Sequence, residues 1–226
     1  DGTSSSIQHP SHMYSAPGTY NVMLTVGTAG GCLDSIVNQV IVFPSPVLSF
    51  TTSTPSNCAG TYVTFNNTST TTNGAINSWD WNFGNGVTST LANPSAIYYT
   101  AGNYSVSLIA TTSHGCTDTV LQSIVINPLP NVDAGSNTNL CKGSSVTLTA
   151  TGGSSYVWSP GGNTTASITV TPSLNTTYYV VATNSFGCTA RDSVRITLLN
   201  LPTPSAGADN SVCIGGSVNL TATGGG

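Results

Sequence analysis

Six cysteines carry most of the chemistry open to this chain, and their spacing separates oxidation from metal binding and catalysis. No Cys-x-x-Cys occurs, and no histidine stands near a cysteine at zinc-ligand spacing, so paired thiols are expected to oxidise to disulfides. His9-Pro10-Ser11-His12 has the look of a metal pair, but the recurring stretch 84 positions later holds Asn93 and Ala96. A unit that forms without these histidines does not need them for its fold, so both are read as loop residues. His114, in Ser113-His114-Gly115, is read as a surface turn residue. Nucleophile-elbow, zincin and phosphate-loop motifs are missing, and no two carboxylates sit close in sequence as an acid–base pair. No catalytic residue and no enzymatic activity are expected.

The elements that must position these groups read as strands. Glu is absent and Lys and Arg are rare, while Thr, Val, Ile and Tyr are frequent, a mix that disfavours helix. Alternation is clear at Tyr62–Asn67, at Tyr104–Ile109 and at Val146–Ala150. Gly84-Asn85-Gly86, Gly152-Gly153 and Gly161-Gly162 mark turns between such runs. Trp79, Trp81 and Phe83 share one strand face, where they either stack on a sugar or fill a core, and the core reading is favoured. Trp158 is read as core too. Tyr98-Tyr99 and Tyr178-Tyr179 place one ring inside and one outside. Charged residues make up only 4% of the chain, against about 25% in typical soluble domains, and three basic side chains cannot form a nucleic-acid footprint. No run approaches about 18 apolar residues, so no membrane span lies in this window.

The chain repeats itself. Residues 1–46 return without a gap as 85–130: Pro10, Tyr14, Gly18, Tyr20, Cys32, Asp34 and Pro44 recur as Pro94, Tyr98, Gly102, Tyr104, Cys116, Asp118 and Pro128. Cys141, Thr149, Gly152 and Gly153 recur 72 positions on as Cys213, Thr221, Gly224 and Gly225. Four segments follow: 1–46, the C-terminal part of one domain; 47–128, a complete domain; 129–202, a complete domain of a second type; and 203–226, the N-terminal part of another. Pro44-Ser45-Pro46, Pro128-Leu129-Pro130 and Leu201-Pro202-Thr203-Pro204 are expected to act as stiff junctions. The pairings expected from this layout are Cys58–Cys116 and Cys141–Cys188. Cys32 aligns with Cys116 and Cys213 with Cys141, so these two are expected to be unpaired by truncation, their partners lying outside the window. Disulfides also imply an oxidising compartment.

Ser78-Trp79-Asp80-Trp81-Asn82-Phe83-Gly84-Asn85-Gly86 resembles the central signature of the polycystic-kidney-disease (PKD) domain, W-x-W-D-F-G-D-G. Asn93-Pro94, Tyr98 and Gly102-Asn103-Tyr104-Ser105-Val106 fit its later pattern. Asn82 and Asn85 replace the usual acids. Residues 131–200, through Val132-Asp133-Ala134-Gly135, Cys141-Lys142-Gly143, Val146–Ala150 and Asn184–Cys188, resemble bacterial immunoglobulin-like repeats of Bacteroidota surface proteins. The resemblances imply an all-β chain of tandem Ig-like and PKD β-sandwich domains in an elongated array. They also imply similarity to gliding-motility adhesins, with an extracellular, cell-surface location for a secreted bacterial protein.

The expected function is a structural stalk or filament segment of a large adhesin. The alternatives are a carbohydrate- or protein-binding module and an accessory region of a secreted hydrolase. Expected partners are neighbouring repeats of the same long chain, or other subunits that cover the cut domains, and surface polysaccharide or protein. No cofactor is expected. Calcium, which related domains sometimes bind, is the alternative weighed, but Asp80, Asp133 and Asp209 are scattered and the ion needs six or more oxygens. Asp34-Ser35-Ile36, Asp118-Thr119-Val120 and Asp192-Ser193-Val194 each lie shortly after a Gly-Cys pair and resemble Bacteroidota O-glycosylation acceptors, which makes Ser35, Thr119 and Ser193 candidate sites. The other reading of the same stretches is a strand start, with the Asp closing the turn and the hydroxyl facing solvent.

Overall fold

A computed structural model of the chain describes residues 1–52 and 57–224. Gly225, the last position of the 72-residue recurrence, lies outside the described residues. The described residues form strands and no helix, in two compact units, Asp1–Pro128 and Leu129–Gly226.

The first unit holds nine strands: β1 (Gly18–Gly27), β2 (Leu33–Val42), β3 (Phe50–Thr52), β4 (Tyr62–Asn67), β5 (Ile76–Asn82), β6 (Thr88–Ser89), β7 (Ser95–Ile97), β8 (Gly102–Thr112) and β9 (Thr117–Ile126). Within 47–128 they make a sandwich of two sheets, ordered β3-β4-β7 and β6-β5-β8-β9. Side chains alternate across each strand, so one sheet sends Phe50, Val63 and Phe65 inward, and the other sends Trp81, Val106, Leu108, Ala110, Ile124 and Ile126. Phe65 lies 5.6 Å from Trp81 and 4.9 Å from Phe83 between ring centroids. The Trp81 indole N–H donates to the Leu91 carbonyl at 3.0 Å, so its one polar atom is satisfied inside.

The β1–β2 hairpin repeats β8–β9 in register as well as in sequence. Gly18 faces Val42 and Gly27 faces Leu33; 84 residues later Gly102 faces Ile126 and Thr111 faces Thr117. Its environment differs. Val22, Leu24 and Val26 are exposed, while their counterparts Val106, Leu108 and Ala110 are buried. Just beyond the hairpin, the Phe43 ring stacks on His114 at 3.6 Å between centroids, beside a cleft of about 300 Å³ lined in part by Pro17, Pro44 and Asn73.

The second unit holds β10 (Thr138–Cys141), β11 (Val146–Thr149), β12 (Ser155–Ser159), β13 (Ser167–Val170), β14 (Thr176–Thr183) and β15 (Thr189–Leu199). Its sheets are ordered β10-β15-β14-β12 and β11-β13, with β10 running parallel to β15. The core is built on Trp158, Tyr178, Val180, Val194 and Ile196, with Leu148 and Ile168 from the smaller sheet. The Trp158 indole N–H donates to the Thr165 carbonyl at 3.1 Å, the same solution as at Trp81. Between 203 and 224 the Ser205↔Thr223 bridge repeats Asp133↔Thr151 at the 72-residue interval.

Candidate functional site

Three turns of one design carry the Gly-Cys pairs. In each, the residue four before the cysteine donates its N–H to the cysteine carbonyl: Thr28 to Cys32 at 3.0 Å, Thr112 to Cys116 at 2.9 Å, and Asn184 to Cys188 at 3.0 Å. The glycine N–H closes back on that same residue at 3.0 Å in all three. The side chains of Thr112 and Asn184 also accept the cysteine N–H, at 3.2 and 3.0 Å. Sequence reasoning passed over these positions; the available signal was a hydroxyl or amide recurring four residues before the cysteine.

The aspartates that follow do two different jobs. Asp34 and Asp118 stand two residues after their cysteines, and each carboxylate accepts the next backbone N–H, of Ser35 and Thr119, at 2.8 Å. Asp192 stands four residues after Cys188 and instead accepts the Ala134 N–H at 2.8 Å, tying the start of its unit to β15. Ser35, Thr119 and Ser193 are all solvent-exposed.

The expected cysteine pairings are not those of the structure. Cys58 and Cys188 are disulfide-bonded and buried, whereas Cys116 and Cys141 are free thiols, as are Cys32 and Cys213. Strand geometry explains why Cys58–Cys116 and Cys141–Cys188 do not form. Cys58 forms a parallel bridge with Asn127, just past the end of β9, while Cys116 immediately precedes the start of that strand. At about 3.3 Å per residue the two lie roughly 30 Å or more apart. A disulfide needs Cα atoms within about 7 Å. The second unit repeats this layout: Cys141 pairs with Leu199 at the end of β15, and Cys188 immediately precedes its start.

The signature loop is held by its own amides. Asn82 Oδ1 accepts the Gly84 N–H at 2.9 Å and Asn85 Oδ1 accepts the Val87 N–H at 3.0 Å, while Asn85 Nδ2 donates to the Ile97 carbonyl at 3.0 Å. These are backbone-closing roles that need no ion. Among the described residues no three His, Cys, Asp or Glu side chains come together as a metal set. His12 Nε2 contacts the Asp1 carboxylate, away from any other candidate ligand. Asp80 is exposed on β5, and Asp133 Oδ1 accepts the Gly135 N–H.

Of the aromatic candidates, Trp81, Phe83, Trp158, Tyr98 and Tyr178 are core residues. Tyr62 and Tyr99 are outside, with Tyr62 facing Ile97 across the β4–β7 ladder. Tyr179 lies outside its unit with the Arg191 guanidinium 4.8 Å above its ring.

A curated relative, the pre-pro-metalloprotease PrtV of Vibrio cholerae, is 45% identical over 78 residues, which are 33% of this chain and 8% of that protein. A microbial collagenase of Vibrio alginolyticus is 44% identical over 75 residues, 33% of this chain and 9% of that protein. The chain thus spans less than a tenth of the length of these relatives. Among solved structures, the PKD1 domain of the Vibrio cholerae metalloprotease PrtV shares 39% identity over 37% of this chain and 99% of that chain, with a TM-score of 0.34. The PKD1 domain of Vibrio anguillarum Epp shares 32% over 38% of this chain and 98% of that one, with a TM-score of 0.35. The PKD domain model matches residues 1–42 and 44–126, more than half of the chain and the span that carries both copies of the recurring hairpin, and so the chain belongs to the PKD domain family.

Proposed function

We propose that this chain is a structural stalk or filament segment of a large secreted adhesin at a bacterial cell surface, with no catalytic role of its own. One observation carries this reading: the hairpin of 1–46 returns 84 residues later in the same register, so the chain is built by reiterating a module rather than by assembling one site. Modules of this kind touch only their neighbours and can be added without a common core. The segments 47–128 and 129–202 are complete modules, and 1–46 and 203–226 are the C-terminal part of one module and the N-terminal part of another, the later two segments being of immunoglobulin-like type. The bare apolar face of β1–β2 is covered by further strands of the same long chain or by another subunit. Ser35, Thr119 and Ser193, exposed beside their aspartates, are the O-glycosylation sites, as on Bacteroidota surface proteins.

A second reading has specific support. The relatives matched here include a metalloprotease and a collagenase, so the chain can be the accessory region of a secreted hydrolase. Its exposed Tyr62 and Tyr99 then offer stacking surfaces for polysaccharide or protein. Immunogold labelling with antibodies to residues 47–200 tests the choice. Fibres labelled on intact cells are expected. Label confined to the culture medium, co-purifying with proteolytic or glycosidic activity, overturns the stalk in favour of the second reading.

A further inference from the structure

The two copies of the recurring hairpin agree on one face and differ on the other. Side chains alternate along a strand, so Val22, Leu24 and Val26 share the face whose counterparts, Val106, Leu108 and Ala110, fill the core of 47–128. The opposite, outward face of β1–β2 is formed by five cross-strand pairs: Thr19–Ile41, Asn21–Gln39, Met23–Val37, Thr25–Ser35 and Gly27–Leu33. Its large apolar side chains stand in water: Met23 is 64% exposed, Leu33 75%, Val37 54% and Ile41 57%, although Ile41 also borders the cleft beside Phe43. In β8–β9 the matching pairs are Asn103–Val125, Ser105–Ser123, Ser107–Leu121, Ile109–Thr119 and Thr111–Thr117. Ser107 thus stands where β1 has Met23, and Thr117 where β2 has Leu33. A hairpin that forms the same ladder with serine and threonine does not need methionine and leucine there for its fold. Apolar side chains on both faces are the pattern of strands that are covered on both.

We infer that the outward face of β1–β2 packs on the same face of a second copy of this chain, sheet against sheet around a two-fold axis. The order of its rungs argues for that occupant. Apolar rungs, at Ile41, at Met23–Val37 and at Leu33, alternate with the polar rungs Asn21–Gln39 and Thr25–Ser35, so the order reads the same from either end. The Gln39 amide donates to Asn21 Oδ1 at 3.2 Å within one polar rung. A two-fold axis lying between the sheets, along the Met23–Val37 rung, sets that rung on itself. It also sets Ile41 on Leu33 of the second copy, and Asn21–Gln39 on Thr25–Ser35. Such self-complementarity is what an isologous contact requires. The five rungs hold no charged side chain, so no like charges meet. The rungs of β8–β9 lack this symmetry, with Val125 at one end and Thr111–Thr117 at the other.

From Thr19 to Gly27 the face measures roughly 27 Å by 10 Å, well below the ~800 Å² per partner of a standard interface, so one pair of chains associates weakly. A glycan on Ser35 would stand between the two faces, and its attachment therefore switches the contact off. Either reading of the function accommodates such a contact, so its loss would leave that choice where the immunogold labelling puts it.

The test is sedimentation velocity of the full chain from micromolar to millimolar concentration. The protein is made without glycans, and its free thiols are alkylated so that no disulfide links two chains. The sedimentation coefficient is expected to rise with concentration towards that of a dimer. Met23→Ser combined with Leu33→Thr uses the residues that β8–β9 carries at the same places. This double variant should weaken association by about tenfold or more, with the far-ultraviolet circular dichroism unchanged. Leu24→Thr, on the opposite face, should leave association as it is. A chain that stays monomeric at millimolar concentration overturns the inference. So does association that survives the double variant, or that Leu24→Thr abolishes. If the double variant fails to fold, Val37→Lys, which brings two ammonium groups together at the two-fold axis, decides in the same way.

Discussion

The Tyr98 hydroxyl donates to the Phe83 carbonyl at 2.9 Å, closing the signature loop of the PKD domain onto the residue just past the end of β7. The phenol is buried, and burial pushes its pKa well above the ordinary 10.0, with the neighbouring Tyr104 phenol acting in the same direction. The folded state therefore keeps a proton that the unfolded chain releases above pH 10. Stability from this group is complete below pH 10 and falls as pH rises beyond it, by about 1.4 kcal/mol per pH unit for one proton. Urea denaturation of residues 47–128 between pH 9 and 11.5 is expected to show this loss. Tyr98→Phe should remove this contribution to the pH dependence and, by leaving the Phe83 carbonyl unpaired, cost about 1–2 kcal/mol at pH 7.

Gly84 and Gly86 flank Asn85 and both have positive φ, at 74° and 86°. A Cβ on Gly84 would stand 2.5 Å from the Ser105 carbonyl oxygen, whereas one on Gly86 meets nothing within 4 Å. Gly86→Ala is expected to cost about 1–2 kcal/mol, the backbone term alone. Gly84→Ala should cost more, because β8 must also shift. Equal denaturation midpoints for the two variants would contradict this.

Leu24 and Leu108 are the same residue of the repeated hairpin, one exposed and one fully buried. Leu108→Thr is expected to destabilise 47–128 by about 2–5 kcal/mol, through the cavity and the buried hydroxyl. Leu24→Thr should leave the unfolding transition unchanged and lower the binding of a hydrophobic dye such as ANS. The opposite pattern would mean that the β1–β2 face is already covered in solution.

If Ser35, Thr119 and Ser193 carry glycans, protein from its native source should exceed the polypeptide mass in intact-mass measurement. Thr119→Ala should then remove one discrete increment. A mass equal to the polypeptide with its disulfides removes the proposal.

Much of the fold was legible in the residues. Alternation around Phe65, Leu108 and Leu148 identified the strands and their buried faces, and the 84-residue recurrence marked the stretches, 1–46 and 85–130, in which the structure places the two copies of the hairpin. Trp81 and Trp158 were read correctly as core because a large ring on an inward face has nowhere else to go, whereas Trp79 packs against the core half-buried. The cysteine pairs were misread because alignment gives the order of residues and not the end of the sandwich at which each one lies. That end is set by the parallel bridge of Cys58 with Asn127 and by the parallel pairing of β10 with β15. Parallel neighbours join distant stretches without a local turn signal. Asp192 misled in a similar way: its spacing from Cys188 differs by two residues from that of Asp118 to Cys116, and the carboxylate serves a long-range tie instead of a local one.

The shared register of the two hairpins bears on inheritance. Because residue pairs recur after 84 positions, recombination between the two copies removes or duplicates one whole period and rejoins every ladder with its own partner. A slip of one residue would turn each strand inside out, but a slip of one period changes nothing locally. Length can therefore drift in such a gene by whole units while the folding code of each unit stays the same.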